Sequence, residues 1–130
     1  MIDSLSEGLV YLLQIDKEFS AALYLSNCDE SYRGMHGHDF KVVITLANSE
    51  LLESGMVFDY NKITLYLNET VTNLDKMLLN DKPEFSRINP TVENIAKYIY
   101  ETLTEMDITL PLVEVKVQQS RGLTAIYRPN

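Results

Sequence analysis

The chain has 130 residues, of which 45% are hydrophobic, and a formal net charge of −8 at pH 7. This length fits a single domain over residues 1–130 that buries a core unaided, and one cysteine excludes an internal disulfide. The acidic charge argues against a nucleic-acid or anionic-membrane surface, and the sequence has neither an apolar run of about 18 residues nor a basic start typical of a signal peptide. We therefore expect a cytoplasmic protein whose partner is a small molecule or another protein.

Two strands are predicted in the N-terminal part of the chain. Apolar side chains recur at odd-numbered positions from Tyr11 to Phe19, which predicts a strand over about residues 9 to 23. The run from Phe40 to Ala47 predicts a second strand, and residues 48–55 supply the connecting turn.

The only two histidines, His36 and His38, stand at the start of this second strand. Residues two apart on a strand project from the same face, so both imidazoles can point at one ion. A Zn²⁺ site needs three or four such ligands, however. By itself the pair is equally typical of a strand end that carries two solvated or hydrogen-bonded imidazoles.

Two helices are predicted next. The first has an apolar stripe at helical spacing, formed by Ile63, Leu67, Val71, Leu74 and Leu78. For the second, we expect Thr91 as the N-cap and Glu93 near the positive end of the helix dipole. Its stripe comprises Val92, Ile95, Ala96, Ile99 and Leu103.

Two further strands are predicted at the C-terminal end. Val113, Val115 and Val117 alternate with polar residues, and residues 124–128 pair back as the last strand. The order β-β-α-α-β-β predicts an α+β fold, in which two helices cover one face of an antiparallel sheet. The uncovered face would be apolar or ligand-lined, and such faces are often buried between subunits, so we expect a symmetric homo-oligomer.

Five motifs, in order between about Tyr11 and Arg128, closely resemble the 6-pyruvoyltetrahydropterin synthase and 6-carboxytetrahydropterin synthase family. They are residues 19–22 (FSAA), 36–42 (HGHDFKV), 55–60 (GMVFDY), 74–80 (LDKMLLN) and 89–96 (NPTVENIA). The resemblance implies the T-fold, in which subunits of this kind assemble their sheets into a barrel. It also implies trimers or hexamers, a small heterocyclic ligand and active sites between subunits.

The resemblance implies a zinc site with three histidines. His36 and His38 match two of them, and Leu23 stands at the position of the third. Two imidazoles bind Zn²⁺ far less tightly than three, so we expect weak or absent zinc unless Cys28 supplies another ligand. Asp39 is a poorer candidate, because strand alternation sends its side chain to the opposite face.

The resemblance also implies a Cys-Asp-His set that moves protons. Asp75 matches the aspartate, Lys76 replaces the histidine, and Cys28 lies before the register of the family's cysteine, which falls near Glu30 or Tyr32. We expect Lys76 to be protonated, since its reference pKa is about 10.4. The charged Lys76 would then have one of two roles. It binds a phosphate or a carboxylate group of a ligand, or it is a solvated helix residue.

A glutamate that holds the pterin ring is the last implied element, and Gln119 stands at its position. Glutamate offers acceptors only, whereas glutamine offers one acceptor and one donor, so a ring with an acceptor beside a donor would fit instead. The alternative is that Gln119 hydrogen-bonds its strand neighbours. Thr91 and Glu93 match residues near the ring pocket, and both are also explained as helix-start residues.

Three functions remain open at this level. The first is a protein that binds a pterin- or purine-like molecule, with the zinc-dependent lyase activity lost or reduced. The second is an active lyase that acts on 7,8-dihydroneopterin triphosphate with altered ligands. The third is a non-catalytic structural or regulatory paralogue. The replacements at Leu23 and Lys76 favour the first or the third, because a metal-polarised carbonyl and a suitable base are both missing.

Overall fold

A computed structural model describes residues 10–120 and 122–130. Within them, the strands are β1 (Tyr11–Leu23), β2 (His36–Asn48), β3 (Leu112–Gln119) and β4 (Leu123–Tyr127), and the helices are α1 (Tyr60–Thr72) and α2 (Val92–Met106). The predicted order β-β-α-α-β-β is confirmed. The start of the predicted first strand, residue 9, lies outside the described residues.

The four strands form one antiparallel sheet in the order β1-β2-β3-β4. Helix α1 packs over β1, and α2 packs over β3 and β4, so both helices cover the same face. Strand alternation builds the core on that inner face, because every second side chain of β2 points into it. The largest fully buried side chains include Phe40, Ile44, Leu46, Ile63, Leu67, Ile95, Ile99 and Leu103.

Both helices begin at a capping side chain. The Asp59 carboxylate accepts a hydrogen bond from the Lys62 backbone N–H at 3.1 Å. Thr91 Oγ1 accepts one from the Asn94 N–H at 3.1 Å, so the predicted N-cap of α2 is confirmed. This cap fixes where the first turn of α2 sits relative to the end of the sheet.

Helix α1 ends earlier than its apolar stripe predicts. It stops at Thr72, and Leu74 is fully buried in the turn that follows, where its N–H donates to the Val71 carbonyl. Lys76 then adopts a left-handed conformation with φ 61°. The prediction that Leu74 and Leu78 belong to the helix is wrong. After Thr72 the backbone no longer continues the helix, and from Lys76 onward it forms hydrogen bonds with the edge of β1 instead.

Residues 76–80 run beside that edge of β1. The Lys76 N–H donates to the Ser20 carbonyl at 2.6 Å, and the Ala22 N–H donates to the Met77 carbonyl at 2.8 Å. Leu78 forms a parallel bridge with Ala22. One end of β1 is therefore covered by the chain itself, whereas no other described segment pairs with the outer edge of residues 11–17.

The uncovered outer face of the sheet, which we expected to be apolar or ligand-lined, carries a row of polar side chains. One row across the strands consists of Glu18, Lys41, Gln118 and Thr124. Exposed apolar side chains lie on the two outermost strands, with Leu12 and Ile126 on this outer face and Tyr11 and Leu123 on the inner face. In the described part of the chain, neither helix is long and apolar enough to cross a membrane.

Candidate functional site

A cavity of about 770 Å³ lies at the end of the sheet where β1 and β3 finish and β2 begins. The sheet contributes Leu23, His36, His38, Gln119 and Leu123. The start of α2 forms a second wall with residues 90–93, and the loop between β1 and β2 forms a third. The cavity therefore collects side chains from distant parts of the sequence, and its volume is that of a typical small-molecule site.

His36 and His38 project from the inner face of β2, as their spacing predicts. Their ring centroids are 4.7 Å apart, with the rings nearly perpendicular. His36 Nδ1 lies 2.6 Å from the Gly34 carbonyl oxygen. Because a carbonyl oxygen only accepts hydrogen bonds, Nδ1 is the donor in this contact, so Nε2 is the ring nitrogen that would bind a metal in the neutral tautomer.

Leu23 lies directly beside the histidine pair. It is the cross-strand partner of His36, it lines the same cavity, and its side chain is only 3% exposed. A leucine supplies no lone pair to a metal. In residues 10–120 and 122–130 no three His, Cys, Asp or Glu side chains come together in a group that could hold a metal ion. The residues present thus do not fit the three-histidine zinc site that the resemblance implies.

Gln119 faces the cavity from the end of β3. It pairs in register with Phe40 of β2, so it shares the inner face with the two histidines. The side chain is half-buried, and its amide makes no hydrogen bond to any other residue that the structure describes. Both its donor and its acceptor are therefore available to a ligand in the cavity.

Thr91 and Glu93 line the cavity from the first turn of α2. Thr91 Oγ1 already accepts the capping hydrogen bond from Asn94, but its hydroxyl proton can still be donated. The Glu93 side chain is exposed and carries the only carboxylate among the lining residues that the structure describes. This wall therefore offers a neutral donor and a negative charge.

The three residues predicted to move protons lie outside this cavity. Cys28 is half-buried in the loop between β1 and β2, and its carbonyl accepts hydrogen bonds from the Arg33 side chain at 3.2 and 3.3 Å. The Asp75 carboxylate accepts from the Ser20 N–H at 2.9 Å, which ties it to the edge of β1. Neither residue lines the cavity with the histidines.

Lys76 lines a second, more open groove of about 550 Å³. His38 also borders this groove, together with Ser20 and Asp39. Asp39 accepts a hydrogen bond from Ser20 Oγ at 2.5 Å on the outer face, so it points away from the histidine pair as strand alternation predicts. Lys76 and Gln119 consequently belong to different surface depressions.

The loop before β2 supplies lining residues that sequence reasoning missed, among them Leu25 and Met35. Tyr32, which stands near the register of the family's cysteine, also lines the cavity. The short turn Glu30–Tyr32 begins at Asp29, whose carboxylate accepts from the Ser31 N–H at 2.9 Å. This hydrogen bond lowers the pKa of Asp29.

Two asparagine side chains hold the start of this loop. Asn80 accepts from the Tyr24 N–H and donates to the Tyr24 carbonyl, both at 2.9 Å. Asn89 bonds Ser26 in the same way, at 2.9 Å to its N–H and 2.8 Å to its carbonyl. Each asparagine side chain thus makes the two backbone hydrogen bonds that a neighbouring strand would otherwise make. These bonds hold the backbone of the loop that follows β1, which leads from Leu23 toward the cavity. Both asparagines belong to motifs that carry the family resemblance, but the spacing of these motifs does not predict this role.

Comparisons with known proteins agree with this architecture. Residues 12–130 match the family model described as 6-pyruvoyl tetrahydropterin synthase. The chain is 33% identical to 6-carboxy-5,6,7,8-tetrahydropterin synthase of Bacillus subtilis over 73% of its own length and 68% of the relative. It is also 33% identical to 6-pyruvoyl tetrahydrobiopterin synthase of Homo sapiens, over 72% of this chain and 66% of the relative.

Two solved structures share the fold. The 6-pyruvoyl tetrahydropterin synthase of Caenorhabditis elegans superimposes with a TM-score of 0.83 and 21% identity, covering 94% of this chain and 97% of that chain. The Plasmodium vivax 6-pyruvoyltetrahydropterin synthase, solved as a catalytic-residue variant, gives a TM-score of 0.72 at 18% identity, over 94% and 99%. These structures support the predicted fold of the subunit.

Proposed function

The chain belongs to the 6-pyruvoyl tetrahydropterin synthase family, and from that membership we propose that it binds a pterin- or purine-like heterocycle, with the zinc-dependent lyase activity lost or much reduced. One observation carries the proposal. The cavity keeps the polar groups that would hold a ring, Gln119 and Thr91, while Leu23 stands where the third zinc ligand would be.

Ring recognition rests on the free amide of Gln119. It presents one acceptor and one donor, so it matches a ring edge on which a donor lies next to an acceptor. A ring edge with two donors would meet the amide N–H in a donor–donor contact, which costs about 1–3 kcal/mol in a buried polar site. The Thr91 hydroxyl adds a second donor from the opposite wall.

The lyase chemistry would need a polarised carbonyl and a base within reach of the substrate. His36 and His38 alone form an incomplete ligand set for zinc. Lys76 and Cys28 do not line the cavity. An active lyase therefore requires groups beyond those that this cavity gathers.

The experiment is calorimetric titration of the purified chain with a panel of pterins and purine diones. We expect binding, and we expect Gln119→Ala to weaken it about tenfold or more. Gln118→Ala is the matched control, because Gln118 is exposed on the outer face and does not line the cavity. Absence of binding at millimolar concentration of every ring would refute the proposal.

Elemental analysis of the same preparation separates this function from the lyase alternative. We expect well under one zinc per chain. Stoichiometric zinc, with turnover of 7,8-dihydroneopterin triphosphate, would establish the lyase instead.

We also propose that the protein is a cytoplasmic homo-oligomer, a trimer or hexamer. Tyr11 and Leu12 on β1 and Leu123 and Ile126 on β4 expose 49–62% of their surface on the two outermost strands, where a neighbouring copy would bury them. Light scattering on the purified chain tests this, and a strictly monomeric species would contradict it.

A further inference from the structure

The segment that leads into β2 brings three side chains with metal-binding atoms to the candidate cavity. Met35, His36 and His38 stand within four consecutive residues, and all three line this cavity. The zinc site that the resemblance implies needs a third imidazole, which Leu23 does not supply. The thioether of Met35 is a ligand of a different chemical class. Together the three residues offer two imidazoles and one thioether.

The two imidazoles lie close enough to share one ion. Their ring centroids are 4.7 Å apart, and the ring planes meet at 87°. Metal–nitrogen bonds to histidine are about 2.0–2.1 Å long, so rings on opposite sides of an ion would have centroids about 6 Å apart. His36 and His38 would therefore approach an ion from one side and leave the other side open for a third ligand.

His36 is oriented as metal-binding histidines commonly are. Its Nδ1 lies 2.6 Å from the Gly34 carbonyl oxygen. Histidine ligands almost always donate their other ring N–H to a carbonyl or a carboxylate, which fixes the ring and raises the basicity of the nitrogen that binds the metal. The Gly34 carbonyl supplies this contact for His36, and Nε2 is the nitrogen that would bind the ion.

Met35 can supply the third ligand. Its side chain is 65% exposed, and its three rotatable bonds allow the sulfur to adjust to an ion in the cavity. Thioether and thiolate ligands select Cu(I), and imidazole binds copper as well. Zn²⁺ prefers four ligands drawn from imidazole, thiolate and carboxylate groups. Two imidazoles and a thioether therefore favour Cu(I) over Zn²⁺.

The surroundings of the histidine pair also favour a singly charged ion. Leu23, the strand partner of His36, is 3% exposed, and Leu25 is half-buried in the same cavity wall. Apolar neighbours limit the access of solvent to a metal site and raise the cost of dehydrating an ion. Because this cost rises steeply with charge, Cu(I) enters such surroundings more easily than a divalent ion.

We infer that Met35, His36 and His38 form a Cu(I) site that discriminates against Zn²⁺. The inference goes beyond the proposed ring binding and does not depend on it, because it concerns a metal ion and not a heterocycle. It gives the histidine pair a chemical role that is compatible with a leucine at position 23.

The first test is an anaerobic titration of the purified full chain with Cu(I), in competition with the chromophoric chelator bicinchoninate. We expect one Cu(I) per chain, retained in the presence of an about hundredfold excess of Zn²⁺. Failure of the chain to compete with the chelator would overturn the inference. Displacement of Cu(I) by Zn²⁺ would overturn it as well.

Variants of the three ligands identify the site. Met35→Leu keeps the size of the side chain and removes the sulfur, so we expect the Cu(I) affinity to fall about tenfold or more, and we expect the same of His36→Ala and of His38→Ala. Met56→Leu is the matched control, because Met56 lies in the loop before α1 and does not line the cavity. Equal affinities of Met35→Leu and Met56→Leu would overturn the assignment of the thioether.

Cys28→Ser separates this site from the thiol, since thiolates also bind Cu(I). Cys28 does not line the cavity, so we expect this variant to keep the Cu(I) affinity of the wild type. X-ray absorption at the copper edge of Cys28→Ser should show nitrogen neighbours and one sulfur neighbour, and the sulfur should disappear when Met35→Leu is added. Loss of Cu(I) binding in Cys28→Ser, or absence of the sulfur neighbour, would overturn the inference.

Discussion

At the scale of single residues, Leu23 decides which ligands the histidine pair can bind. Its side chain is buried against the core and lies in register with His36, so the backbone at this position already presents a side chain to the right face of the sheet. The difference from a three-histidine site is therefore one side chain and not a rearrangement of the strand.

Leu23→His should restore zinc binding. A third imidazole completes the ligand set of a zinc site that keeps one open position, and we expect the affinity for Zn²⁺ to rise by more than about tenfold over the wild type. Competition titration against a chromophoric chelator measures this. Leu25→His is the matched control, since Leu25 lines the cavity but is not the strand partner of His36. Similar zinc affinities for the two variants would contradict the assigned geometry.

Strand periodicity explains how much of the candidate site is readable from the sequence. The common face of His36 and His38 and the opposite orientation of Asp39 follow from a period of two residues. Cys28 belongs to a loop, where no period relates spacing to direction, so its distance from the cavity had to come from the structure. The same holds for Met35.

At the scale of elements, the loop between β1 and β2 depends on side chains from two other segments. Asn80 and Asn89 replace strand partners for Tyr24 and Ser26. Asn89 is itself tied to α2, because the Asn94 side chain donates to its carbonyl at 2.8 Å. The loop wall of the cavity is thus coupled to the helix wall through these amides.

Asn89→Ala should loosen this wall. The backbone groups of Ser26 lose their partners, and we expect a loss of about 1–3 kcal/mol in the free energy of unfolding, together with weaker ring binding. Urea denaturation and calorimetry measure the two effects. Asn61→Ala, at an exposed position of α1, serves as control. Full stability of Asn89→Ala would show that solvent replaces the amide without cost.

Leu74 shows why the end of α1 was misplaced from the sequence. It is fully buried, and its spacing continues the helical stripe, yet it belongs to the turn that leads to the β1 edge. A hydrophobic period records burial, and burial continues past the end of a helix when the following turn packs on the same core. The left-handed backbone conformation in this turn occurs at Lys76, and lysine is not a residue type that predicts a turn.

Leu74→Ala should be among the most destabilising substitutions outside the regular elements. Removal of a fully buried leucine side chain costs about 2–5 kcal/mol. Chemical denaturation followed by circular dichroism measures it against Leu65→Ala, because Leu65 on α1 is 54% exposed. Comparable losses in the two variants would contradict the placement of Leu74 in the core.

At the scale of the whole molecule, a polar cluster at the far end from the cavity joins the two helices. Tyr66 on α1 donates from its hydroxyl to Asp107 Oδ2 at 3.0 Å, directly after α2 ends. Asp107 Oδ1 also accepts from the Thr109 N–H and hydroxyl, at 2.9 and 2.6 Å. The hydrogen bonds from Thr109, and more weakly that from Tyr66, lower the pKa of Asp107.

The lowered pKa of Asp107 gives stability a dependence on pH with a definite sign. Because the folded state favours the carboxylate, this contribution is complete above the unfolded pKa of about 3.9 and is lost as the pH falls through the lower folded value. Asp107→Asn should thus be less stable than the wild type at pH 7, and the difference should shrink below pH 4. Urea midpoints at both pH values test this, with Glu105→Gln as an exposed control. A difference independent of pH would contradict the assignment.

The overall architecture followed from the order of periodic segments. Strands, then helices, then strands leave few arrangements that bury every apolar face, and the observed sheet with α1 and α2 on one side is the expected one. The polar character of the outer face was harder to anticipate. Charged residues such as Glu18 and Lys41 lie in mid-strand, and only the register shows that they share one row.

The segment that runs beside β1 also bears on the behaviour of the protein at high concentration. An open edge strand is a template on which extended peptides stack into fibrils. Here residues 76–80 occupy one end of that template, and Asp16, Lys17 and Glu18 place charges next to it. Among the described residues, the stretch Val10–Ile15 remains uncovered along this edge. The turn after α1 therefore shortens the part of β1 on which an extended peptide could stack.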